Sequence, residues 1–249
     1  MKKNIRPVAA FAALQLLGLA SLPAATITLG TSTPGAGDGI TFIGGSTGDG
    51  DNTDHDFVAS DYLGNHNQGL DVGQSFTTGA NVGGYLLSSI SVRQVSWASD
   101  YDYTGGDVTL RFFDSSGGFF PSAQMASQTV SIDPGVGGDV VTGGAPTLPM
   151  WLTFTFDAPI ALDANKLYAF VFHSTGTSSN DGFFMNLDGT SNGGAYTGGS
   201  SITADNTSNL WNGNSSGDRT FVATMAAVPE PSVALLGGLG LLGLLRRRR

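Results

Sequence analysis

Asp49, Asp51, Asp54 and Asp56 crowd four carboxylates into a short stretch that also holds Gly50, Asn52, Thr53 and His55. Calcium takes about six to eight oxygen ligands, and closely spaced aspartates can supply several from one turn. The stretch is therefore the candidate metal site, with calcium as the candidate cofactor. It begins like an EF-hand loop and then departs from it, because Asp54 stands where the turn glycine belongs and no glutamate follows at the last ligand position. The competing reading is a solvated acidic loop. His55, His66 and His173 share no zinc-ligand spacing, and the chain has no cysteine to complete such a site. Trp97, Tyr101 and Tyr103, interleaved with Asp100, Asp102 and Asp107, pair aromatic faces with carboxylate acceptors, as does Trp211 further on. Such a mixture can hold a sugar by stacking and hydrogen bonding. The alternative is that the rings belong to the core and the Tyr-Asp-Tyr run is an ordinary loop.

No catalytic residue is assigned. Gly44-Gly45-Ser46-Thr47-Gly48 fits a nucleophile-elbow pattern, but that turn must lead from a strand into a helix, and no helical pattern follows. Gly238, Gly240 and Gly243 mimic a dinucleotide fingerprint inside an apolar run, with no βαβ unit around them. A glycosidase needs two facing carboxyl groups, and no acid pair stands out among the aspartates. The chain reads as a non-enzyme.

Charge narrows the partners. The 249 residues carry 20 acidic and 11 basic side chains, a formal net charge of −9. Most of the basic residues lie near the two ends, so the body keeps only Arg93, Arg111, Lys166 and Arg219. The acids are aspartates apart from Glu230. A strongly acidic body repels nucleic acid and anionic lipid, and leaves cations and neutral sugars as partners. Many aspartates sit in turn-like pairs such as Asp38-Gly39 and Asp181-Gly182. With no cysteine there is no disulfide framework, and the apolar core must hold the fold unaided.

The elements that would position any site are strands. Short alternating runs rich in Val, Ile, Thr and Phe recur between clusters of Gly, Asp, Asn and Ser, which predicts an all-β chain. The expected strands are 73–77, 85–97, 107–113, 126–132, 151–156, 166–173, 182–187 and 220–225. Val108, Leu110 and Phe112 share one face of a strand, as do Leu152, Phe154 and Phe156. Tyr168, Phe170 and Phe172 alternate with Leu167, Ala169 and Val171, so this strand is apolar on both faces and belongs at the centre. Residues 133–149 read as a long loop, and so does 186–218 apart from a short strand near Ile202. No repeat of 20 to 50 residues divides the body. The expected fold is a single antiparallel β-sandwich.

The ends carry sorting signals. Lys2, Lys3 and Arg6 precede an apolar stretch over 8–22, followed by Ala24 and Ala25, the pattern of a secretory signal peptide cut near those alanines or after Ala20. At the other end Pro229-Glu230-Pro231 interrupts any ladder or helix. An apolar run over 233–245 and the four charges of Arg246, Arg247, Arg248 and Arg249 follow. Thirteen helical residues rise only about 20 Å, short of a hydrocarbon core of about 30 Å, which suits a transient anchor with its arginines left in the cytoplasm. This order resembles the PEP-CTERM sorting tail of exosortase substrates. The resemblance implies Sec export, processing by an exosortase-type membrane protease, transient insertion of the tail helix, and a final address in the envelope or outside the cell.

The body in turn resembles the jelly-roll domains found ahead of such anchors and, more distantly, carbohydrate-binding modules. The likeness rests on Gln74-Ser75-Phe76, on Phe112-Phe113-Asp114, and on Phe156 with the later run Leu162-Asp163-Ala164-Asn165-Lys166-Leu167-Tyr168. It carries over no ligand residue. The expected division is a signal peptide over 1–25, a jelly-roll-like sandwich over 26–226 and the sorting tail over 227–249. Three function classes remain: a noncatalytic surface or extracellular-matrix protein contacting envelope polysaccharide, a dedicated carbohydrate-binding module, and a secreted glycan hydrolase.

Overall fold

Alternation of large apolar and small polar residues builds the architecture. The structure, a computed structural model, describes residues 24–43, 55–59, 70–94, 106–118, 121–132, 150–175, 182–188, 196–205, 210–214 and 218–230. None of these residues is helical. The strands are β1 (Thr26–Gly30), β2 (Ile40–Phe42), β3 (His55–Ala59), β4 (Leu70–Thr77), β5 (Tyr85–Gln94), β6 (Gly106–Asp114) and β7 (Ala123–Ile132). They continue with β8 (Met150–Leu162), β9 (Leu167–Thr175), β10 (Gly182–Asp188), β11 (Ser201–Asp205), β12 (Leu210–Asn214), β13 (Asp218–Arg219) and β14 (Phe221–Ala227).

Two antiparallel layers result. One runs β1-β8-β5-β14-β2 and the other β7-β6-β9-β4-β11-β12. The pair β10 and β3 links them along one margin, through Met185↔Gln94 on β5 and the parallel bridge Val58↔Leu70 on β4. The expected all-β class and the two-layer arrangement are both observed.

Between the layers lies an aromatic core. Val108, Leu110 and Phe112 from β6, Leu152, Phe154 and Phe156 from β8, and Tyr168, Phe170 and Phe172 from β9 are all buried in one cluster. Rings from opposite layers meet directly, with centroid separations of 6.3 Å for Phe112 and Phe156, 6.4 Å for Phe154 and Phe172, and 5.5 Å for Phe170 and Phe221. Burying each such ring contributes about 1.5–3 kcal/mol. Strand β9 is central, flanked by β4 and β6. Its other face carries Ala169 and Val171, which join Phe113 and Ile202 in a second buried cluster.

Gln74 explains the Gln-Ser-Phe run within β4. Its side chain lies in the interior, where the amide nitrogen donates to Asp218 at 2.8 Å and the amide oxygen accepts from the Arg219 N–H at 2.9 Å. A buried amide must be satisfied in this way or it destabilises the fold. The pair staples the approach to β14 onto the opposite layer.

Several expectations are corrected. Strand β5 covers Tyr85–Gln94, with residues 95–97 of the expected strand outside the described residues, while β8 runs on past Phe156 to Leu162 by pairing its second half with Tyr85, Leu86 and Leu87. The region expected as a loop from 186 to 218 also contains β12 and β13. Strands β1, β2 and β3 were not expected, being short runs that gain their hydrogen bonds from distant partners such as β8 and β14.

Replacing Phe112, whose ring lies 5.7 Å from that of Tyr168, by alanine should cost about 3–5 kcal/mol in urea unfolding, the range for emptying a buried aromatic site. Val82→Ala, at a side chain that is 80 % exposed, should leave the transition nearly unmoved.

Candidate functional site: the exit of the sorting tail

The last strand leads straight into the Pro-Glu-Pro signal, and the structure holds the chain firmly up to that point. On one edge β14 pairs with β5, ending at Ala226↔Leu86 and Ala227↔Tyr85. Residues 35–38 run along its other edge: the Met225 N–H donates to the Ala36 carbonyl at 3.0 Å, and the Ala227 N–H to the Asp38 carboxylate at 2.8 Å. The final ladder bond runs from the Val228 N–H to the Gly84 carbonyl at 3.0 Å. Pro229 has no N–H to continue the pattern. Pro229 and Glu230 are both exposed.

Val228 is clamped by the turn from Asn81 to Gly84. The Asn81 amide donates to the Val228 carbonyl at 2.9 Å and to the Gly84 carbonyl at 2.6 Å, while the Gly84 N–H closes the turn on the Asn81 carbonyl at 2.8 Å. Both glycines of this turn are required. A Cβ on Gly83 would stand 2.2 Å from the Val228 carbonyl oxygen, and Gly84 has a φ of +77°.

Two tyrosine hydroxyls pin the turns beneath the exit. Tyr85 accepts the Asn81 N–H at 3.1 Å, and Tyr168 accepts the Asp163 N–H at 2.8 Å. The two turns also grip each other: the Thr78 hydroxyl donates to the Asp163 carbonyl at 2.7 Å, and the Asn165 N–H donates to the Gly79 carbonyl at 2.9 Å. Asn165 itself adopts a φ of 53°, which asparagine tolerates better than most residues. Lys166 completes the support with ion pairs to Asp114 at 2.8 Å and to Asp163 at 3.4 Å. The Lys166 hydrogen bond, and then the Ser116 N–H, hold the Asp114 carboxyl down at about 2 from its ordinary 3.8. The Lys166 ammonium is shifted upward in return, chiefly by the bond to Asp114. Burial raises the Tyr168 phenol, which keeps that hydroxyl neutral.

A second polar constellation lies on the β4, β6 and β9 layer, on the face turned away from the aromatic core. Asp71 bridges His173 Nδ1 at 2.6 Å and Arg111 Nη1 at 3.1 Å. In the linear chain His173 shares no zinc-ligand spacing with His55 or His66, and Asp71 and Arg111 carry no site pattern. An aspartate–histidine pair can orient a general base. The threonine opposite the histidine, Thr109, shares a hydrogen bond with Thr129 at 2.8 Å.

Most of the other expected site residues fall outside the described residues. Asp49, Asp51 and Asp54 lie outside the described residues, as do Trp97, Tyr101 and Tyr103. Asp56 is the second residue of β3, paired opposite Met185, so it lies in a strand where a loop was expected. Trp211 is in β12, paired opposite Ala204. Among the described residues no group of three His, Cys, Asp or Glu could hold a metal ion, and no helix is long and apolar enough to cross a membrane. Pro231, the apolar run over 233–245 and Arg246 to Arg249 lie outside the described residues.

Comparison with known families bears directly on the exit. Residues 227–249 match the model of the PEP-CTERM protein-sorting motif. The chain thus carries the signal of an exosortase substrate, which implies processing by that membrane protease and an exported, envelope-associated protein. No curated protein matches the chain.

Asn81→Ala should cost about 1–2 kcal/mol for the lost bonds. Its signature is local: amide exchange at Val228 accelerates while exchange at Ala223, mid-strand, stays slow. The Asp114 ion pair predicts a pH dependence. Because the folded carboxyl titrates at about 2, below its unfolded value, its stabilising effect is complete above about pH 5 and is lost as the pH falls through about 2. The melting temperature of Asp114→Asn should therefore lie below that of the parent at pH 6, with the gap closing as the pH approaches 2.

Proposed function

We propose that this chain is an exported, noncatalytic protein of the cell surface or extracellular matrix, sorted by an exosortase system, whose sandwich contacts envelope polysaccharide. The observation that carries the reading is the exit: the PEP-CTERM motif spans 227–249, and its Pro-Glu-Pro triplet starts one residue after the last ladder bond. A protease can reach Pro229 and Glu230 without unfolding the sandwich, since both are exposed.

The finer features follow from the same reading. Residues 1–25 act as the signal peptide for Sec export, and β1 begins at Thr26, directly after the expected cut. Residues 233–245 hold the chain in the inner membrane only until cleavage. The body is a jelly-roll-like sandwich, a likeness supported by a chain that changes layer between β4 and β5, β5 and β6, β7 and β8, and β8 and β9. The aspartates at 49, 51, 54 and 56 hold a structural calcium ion. An acidic domain of this kind favours uncharged glycan over nucleic acid or anionic lipid.

Intact mass of the protein recovered from the envelope and medium of its native host tests the address. The expected species lacks both the signal peptide and the residues following the Pro-Glu-Pro triplet. A mature protein that keeps its whole tail overturns the exosortase reading.

A further inference from the structure

We propose that the Asp71, His173 and Arg111 constellation is a binding site for a neutral saccharide, a proposal that rests on the polysaccharide reading above and assigns it a place. The three residues come from β4, β9 and β6, and their exposure grades outward: the Asp71 side chain is 4 % exposed, His173 12 % and Arg111 31 %. The buried carboxylate thus acts as a post from which two polar heads reach the surface.

Hydrogen-bond chemistry dictates what those heads offer. Nδ1 of His173 meets the Asp71 carboxylate, and Nε2, on the far side of the ring, is left for a further hydrogen bond. The Arg111 guanidinium gives one donor to Asp71. Its other N–H groups, like His173 Nε2, have no partner among the described residues. A ring nitrogen and a charge-assisted fork of donors therefore stand side by side. A sugar hydroxyl both donates and accepts, so vicinal hydroxyls complement this pair.

The surroundings extend the match. Across the sheet Thr109 lies opposite His173 on one side and Thr129 on the other. Thr129, Ser127 and Ser131 on β7 are exposed and add further hydroxyls to this half of the layer. In the other direction Asp71 pairs with Ala204, which pairs with Trp211, so the same row of the sheet ends at an aromatic residue. Charge selects the ligand class. Arg111 and Asp71 cancel, and the acidic body repels a polyanion. An uncharged, hydroxyl-rich chain fits where a uronate or sulfated glycan does not.

Calorimetric titration of the full-length chain in detergent tests this, with hexasaccharides of β-1,4-glucan, β-1,3-glucan, α-1,4-glucan, β-1,4-mannan and β-1,4-galactan, and with hexagalacturonate as the charged counterpart. At least one neutral hexasaccharide should bind saturably, and Arg111→Met should weaken it about tenfold or more, the loss expected for bonds from a charged donor. Thr109→Val, which keeps the ion pair and the side-chain volume, should weaken the same ligand several-fold and remains informative if the arginine variant does not fold. Binding of a neutral glycan that neither variant alters overturns this site while leaving the polysaccharide reading intact. Binding of hexagalacturonate alone overturns the neutral class. If no oligosaccharide binds, the polysaccharide reading falls and the site falls with it.

Discussion

Everything in this fold hangs on β9 being buried on both faces. Tyr168, Phe170 and Phe172 fill the space between the layers, while Ala169 and Val171 are covered on the other side. A chain rich in glycine and without disulfides has few other ways to offset the entropy of ordering its backbone. Neighbours on both edges of β9 are held by this strand, so β4 brings Asp71 beside His173 and β6 brings Arg111 to the same carboxylate. The core thereby sets the geometry of the polar constellation on its reverse side.

The same strand supports the exit. Tyr168 stands at its beginning and contributes its ring to the core and its hydroxyl to the Asp163 amide. Tyr85 does the equivalent at the start of β5. Each ring is anchored by apolar packing, and each hydroxyl then fixes a turn several residues upstream in the chain. The two turns interlock through Thr78 and Asn165, and the outer one grips Val228. Order is thus transmitted from the aromatic centre to the last residue before the sorting triplet. A folded sandwich and an accessible signal are compatible because proline ends the ladder at the surface.

Much of this was legible in the linear chain. Period-two alternation marked β4 to β10 and β14, since a strand buried on one face must alternate, and the run at 167–172 marked the central strand because a strand buried on both faces need not. Pro229-Glu230-Pro231 with its apolar run and arginines marked the tail. Other parts were hidden for physical reasons. Strands β1, β2 and β3 are short, and their hydrogen bonds come from partners far along the chain, such as β8 and β14. Trp211 was visible as an aromatic residue, but its place in the row with Asp71 depends on two successive strand registers.

What the amino-acid order determined alone was therefore local: class, alternation, acidity and the C-terminal sorting motif, each encoded in residues adjacent to one another. Tertiary structure decided which distant residues meet. Asn81 and Val228 are 147 positions apart, Asp71 and His173 102, and Asp71 and Arg111 40. No periodicity encodes such pairings, because they follow from the order and register of strands in the sheet. That register is set by packing the aromatic core, a property of the whole chain and of no single segment.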